Sequence, residues 1–171
     1  MMTGRHFLIA LTVASVVCNV ATAAPSSPTS DLQCKFRHPI EEVDAITAVP
    51  PQVQNAMLAR MDPAAREDGK FQWHDVMAPR GGAFNSTDVV TPGYPGRRFI
   101  RAGHVGSEWF VWFEQGGIAY RKNVALFHIR LGHGTPILRA FVSYNSEDAC
   151  ALTDDLIDNK PAAPGTSPGS W

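Results

Sequence analysis

Between residues 98 and 144, β-branched and aromatic residues crowd into four runs, 98–104, 108–115, 118–131 and 137–144, parted by short glycine-bearing breaks. Runs of this composition and length predict strands. Four in succession predict an antiparallel meander. Between the second and third, Gly116-Gly117 suits the positive φ angles of a two-residue hairpin loop. That register sets Gln115 against Ile118, Phe113 against Tyr120 and Trp112 against Arg121, the last a cross-strand cation–π pair.

Helical periodicity appears on either side of the meander. Val53, Ala56, Met57 and Met61 form one apolar stripe in a segment that opens on Pro51, so a helix is expected over 51–61. Asp62-Pro63 ends it and leads into a short turn over 64–67. At the other end Ser146 is a suitable N-cap, with Ala149, Leu152 and Leu156 as the buried stripe. Asp154, Asp155 and Asp158 lie toward the C-terminus of that helix, where the dipole disfavours them. A first strand is expected over 71–77 and a short one over 84–90. The expected fold is α+β: a mostly antiparallel β-meander sheet with an N-terminal and a C-terminal helix packed on one face.

The chain before the first helix changes this picture from a bare fold to an exported one. Arg5 and His6 precede an apolar run over 7–17 that is too short to span a bilayer, and Ala21-Thr22-Ala23 offers small residues for cleavage after Ala23. The expected organisation is a signal peptide over 1–23, a flexible linker over 24–31, one globular domain over 32–159 and a disordered tail over 160–171. The product is then periplasmic or secreted. The net charge of −1 becomes −2 when Arg5 is lost, and no basic patch suits nucleic acid. No second apolar segment predicts a membrane span in the mature chain.

Export gives the cysteines their meaning. Cys18 departs with the leader, and Cys34 and Cys150 remain as a pair at opposite ends of the domain, expected to form a disulfide. A reactive thiol would need an activating neighbour, and none is visible along the chain.

Candidate chemistry is sparse. The histidines match no metal spacing: His128 and His133 share no helix or cysteine, and His74-Asp75 point to opposite sides of a strand. Ser86 and Ser107 lack a nucleophile elbow. Glu41-Glu42 and Asp154-Asp155 are sequence neighbours that diverge in space. Asn85-Ser86-Thr87 fits the glycosylation acceptor pattern, and Asp88 is placed to latch onto Arg97 or Arg98 across a proline- and glycine-rich connection. No cofactor or metal is implied.

The reading is a small exported, disulfide-bonded, non-catalytic protein that binds another secreted protein or an envelope component, protein or polysaccharide. Trp109, Trp112, Tyr120 and Arg121 are its candidate contact residues. The alternative is a small periplasmic hydrolase using His104 or His128 with Glu114.

Overall fold

A computed structural model describes residues 33–62, 72–130, 135–144, 148–161 and 167–168. The expected leader over 1–23, the expected linker over 24–31, the expected turn over 64–67, His133, Ser146 and Trp171 lie outside these. The elements in chain order are β1 (Glu41–Val43), a 3-10 turn (Ile46–Ala48), α1 (Pro51–Met61), α2 (Trp73–Val76), β2 (Arg97–Val105), β3 (Glu108–Gln115), β4 (Arg121–His128), β5 (Ile137–Tyr144), α3 (Ala149–Ile157) and β6 (Ser167–Pro168). The strands form one sheet in the order β1-β2-β3-β4-β5-β6. Every neighbouring pair is antiparallel.

α1 covers the residues its apolar stripe predicts, with proline in its first turn, where a missing N–H costs no helical bond. Its buried side chains Val53, Met57 and Met61 join Val111, Phe113, Ala125 and Phe127 of the sheet. Those of α3, Ala149, Leu152 and Leu156, join Phe110, Trp112, Val124 and Leu126. Successive strand residues point to opposite faces, so the two helices pack on opposite faces. This corrects the expectation of helices on a single face. The sequence carries the reason: the centre of β3, Phe110 to Phe113, is apolar at consecutive positions, as a strand covered on both sides requires, and all four side chains are buried.

Other expectations are corrected locally. Trp73–Val76 is one helical turn, and among the described residues of this stretch only Ala78 pairs with the sheet, in a parallel bridge to Arg98. Residues 84–90 form no strand. The third run begins at Arg121, because residues 116–120 form a five-residue loop rather than a Gly-Gly hairpin. Gln115 therefore faces Arg121, and Trp112 faces Val124. The cap of α3 is Asp148, whose side chain accepts from the Ala151 N–H at 2.8 Å. Further along the chain, Ser167–Pro168 pairs with Val142 and Ser143, and most of the expected tail over 160–171 lies outside the described residues.

A bulge interrupts β2. Phe99 pairs with Phe113 and Arg101 with Trp112, leaving Ile100 as an extra residue. The shift turns Arg101 onto the α3 face. There Cys34 and Cys150 are bridged, with sulfurs 2.16 Å and Cα atoms 5.8 Å apart.

Candidate functional site: two loops at one end of the sheet

At the end of the sheet where β2 begins and β3 finishes, two loops meet, 82–96 and 116–120. Both are rooted on one buried ion pair. Arg98 and Glu114 face each other across β2 and β3, and Arg98 Nε donates to Glu114 Oε2 at 2.5 Å. Only 1% of the Glu114 side chain is exposed. The Arg98 guanidinium lies 4.6 Å over the ring of Phe84 in the first loop. The Tyr120 hydroxyl, in the second loop, donates to the other Glu114 oxygen. Each oxygen of the carboxylate thus has a partner, the condition under which a buried charge is tolerated.

Asn85 closes the neck of the longer loop. Its Nδ2 donates to the carbonyls of Tyr94 and Thr91, its Oδ1 accepts from the Thr91 N–H at 2.7 Å, and its own N–H donates to the Pro95 carbonyl. The side-chain amide that the glycosylation pattern would modify is therefore bonded within the loop. Gly116 donates to the Gly96 carbonyl at 2.9 Å, and a Cβ at position 116 would fall 1.7 Å from the Asn85 carbonyl oxygen. Only glycine permits that approach.

The crests of this support are apolar. Ile118 is 97% exposed and Val90 74%, with Val89, Tyr94 and Tyr120 also exposed. Among the described residues the only other exposed large apolar side chain is Ile137, at the start of β5. Asp88 is the one charged residue in the two loops. It is exposed, and Arg98 closes on Glu114, so the expected Asp88–Arg98 latch gives way to a different pair. Arg97 is partly buried; loss of hydration lowers its pKa, with Asp62 acting in the opposite direction.

The expected contact residues are not brought together. Tyr120 belongs to the loop pair and Arg121 follows it, half-buried. Trp112 is fully buried, with its indole N–H donating to Thr153 Oγ1 at 2.9 Å. The cation over its ring is Arg101, at 5.6 Å, rather than Arg121. Trp109 lies toward the other end of β3, half-buried and stacked on His104 with ring centroids 4.4 Å apart. Sequence reasoning missed Val89, Val90 and Ile118: a wrong hairpin register placed Ile118 in a strand, and the local signal that marks 84–90 as a loop is the polar cluster Asn85-Ser86-Thr87-Asp88.

The histidine–Glu114 pairing of the hydrolase reading does not form. Glu114 is engaged by Arg98 and Tyr120. His104 lies against Trp109 and Glu41, and His128 bonds Glu108 at 2.7 Å. Ser107 Oγ is 3.3 Å from His128, but from the same ring nitrogen, Nδ1, that meets Glu108. A serine–histidine–acid relay needs the two partners on different nitrogens. Among the described residues no group of three histidine, cysteine or acidic side chains is placed to hold a metal ion.

The acidic end of α3 does find partners. Asp154, buried, accepts the Arg37 backbone N–H at 2.7 Å; Asp155 bonds the Arg37 guanidinium at 2.6 Å, and Asp158 bonds His38 at 2.9 Å. Lys160 bridges Asp155 and Asp158. The hydrogen bond from Arg37 holds the Asp155 carboxyl below its ordinary pKa, and the bond from Lys160 does the same for Asp158. Arg37 and Lys160 are raised in turn by those bonds.

Compared with protein-family models, with curated proteins and with solved structures, the chain finds no match in any of the three.

Proposed function

We propose that this protein is a small exported, non-catalytic binding protein that docks on another exported protein through the loops 82–96 and 116–120. One observation carries the reading: five exposed apolar side chains gather on two loops that a buried ion pair, an asparagine staple and a glycine contact hold in place. Clustered apolar exposure of this kind marks interaction sites. A support already ordered lowers the entropy lost on binding. Three of the five, Val89, Val90 and Ile118, are aliphatic and only Tyr94 and Tyr120 offer ring faces for sugars, so a protein partner suits the crests better than a polysaccharide. The apolar leader and the disulfide support export. Among the described residues no helix is long and apolar enough to cross a membrane.

The test is capture from envelope extract by the oxidised protein and by a Val90→Asp/Ile118→Asp variant. A stoichiometric partner held by the first and lost by the second, at a melting temperature within a few degrees, supports the reading. A partner held equally by both, or no partner from a folded bait, removes it.

A further inference from the structure

The disulfide has neighbours that an inert cross-link does not need. Cys150 is fully buried on α3, whereas Cys34 is partly exposed and lines a cleft of ≈ 330 Å³ together with Lys35, Phe36, His38 and Arg101. Arg101 Nη1 lies 3.8 Å from Cys150 Sγ, within the range of a hydrogen bond to sulfur. Its Nε and Nη2 are engaged by Glu42. Arg101 is 8% exposed, and its guanidinium lies over the rings of Phe36 and Trp112, at 4.9 and 5.6 Å. Little water screens it there.

We propose that Cys34–Cys150 is a thiol-exchange site, opened and re-formed by an external dithiol that enters through this cleft. A thiolate of the dithiol attacks Cys34 Sγ, and the S–S bond breaks with its electron pair left on Cys150 Sγ. The second thiol of the reductant gives up its proton and attacks the mixed disulfide. Cys34 leaves and takes a proton, while Cys150 stays ionised and the other proton passes to solvent. The protein gains two electrons, the reductant becomes a disulfide, and an oxidised dithiol drives the reverse.

Exchange is faster the better the leaving thiolate is stabilised. Burial alone raises a cysteine pKa, and an adjacent arginine lowers it. Glu42 offsets part of the Arg101 charge, but the N–H directed at the sulfur acts at contact distance. The bulge at Ile100 places that donor. The bonds from Arg37 and His38 to Asp154, Asp155 and Asp158 hold the segment next to Cys34 on α3 without help from the sulfurs. Once reduced, the two thiols stay adjacent and re-form one bridge.

The test has three arms on the full exported chain. In a Cys34→Ser variant, ultraviolet thiolate absorbance should titrate Cys150 below the ordinary cysteine value of about 8.5. Each unit lower is about tenfold more thiolate at neutral pH. Titration at or above the ordinary value overturns the proposal. With glutathione as probe and an acid quench, the mixed disulfide of the unsubstituted protein should map to Cys34, and an adduct on Cys150 overturns the direction of attack. Near-ultraviolet circular dichroism should show the dithiothreitol-reduced chain still folded, and unfolding on reduction overturns reversible exchange. The last two arms need no substitution, so a variant that fails to fold leaves them decisive.

Discussion

Glu114 is accommodated in the interior because both its oxygens are taken, one by Arg98 and one by Tyr120. Glu114→Leu would take the carboxylate partner from a largely buried Arg98 guanidinium, and breaking a buried pair from one side costs about 3–5 kcal/mol. Chemical denaturation should show a loss of that order, and a variant within about 0.5 kcal/mol of the parent, the range of ordinary surface substitutions, would contradict the buried pair. Gly116→Ala acts at the same place by sterics. Its new methyl meets the Asn85 carbonyl, a backbone atom with no rotamer to give, and overpacking of this kind costs about 1–3 kcal/mol. Trp112→Ala belongs to a third class. The side chain is interior, so the expected effect is a loss of about 3–5 kcal/mol, and weakened binding in that variant would report unfolding rather than a lost contact.

At the scale of elements, α3 is the most instructive. Its N-cap bond from Asp148 is worth about 1 kcal/mol, removable by Asp148→Ala. Its acidic C-terminal end, unfavourable to the helix alone, becomes favourable once Arg37, His38 and Lys160 are set against it. The pH dependence comes from the direction of the shifts. Asp155 and Asp158 titrate below their ordinary range, so their contribution is complete above the unfolded carboxylate pKa of about 3.9 and fades as pH falls through the depressed values. Arg37 and Lys160 are raised, and their share is lost only in strong base as pH climbs through the folded values. Unfolding curves for the parent and Arg37→Ala should therefore differ near neutrality and converge in acid. A gap that stayed constant down to pH of about 2, below the unfolded carboxylate values, would show that the clamp carries no ionic share. Both groups are solvent-facing, so added salt should narrow the gap as well.

For the whole molecule, the disulfide links residues 116 positions apart and joins the segment before β1 to the last long helix. In the chain-entropy model a closure of that length contributes up to about 4–5 kcal/mol. Reduction should lower the denaturation midpoint measurably. Thiol titration of the unreduced, denatured chain lacking residues 1–23 should find none, and two free thiols would contradict the bridge. The sheet beneath is covered on both faces, which gives a short chain two apolar clusters and lets its loop end carry exposed apolar side chains without being needed for the core.

What the sequence by itself determined were the features with a local cause. The stripe at Val53, Met57 and Met61 marks α1, apolar runs mark the meander in order, and Cys34 and Cys150 stand as a pair at opposite ends of the domain. Tertiary structure alone decided everything that depends on parity or on distant partners. Three residues more in the loop after Gln115 moved Trp112 from Arg121 to Val124, because a shift in pairing changes every cross-strand neighbour. Helix periodicity shows which side of a helix is buried, yet it does not say which face of the sheet receives it. The bulge at Ile100 has no sequence signature, and it brings Arg101 to Cys150. The aspartates of α3 meet Arg37 and His38 across more than a hundred residues, and the loops 82–96 and 116–120 become one surface only when β2 and β3 lie side by side. Local patterns reflect energies summed over a few neighbours, whereas these contacts depend on how the folded backbone closes on itself.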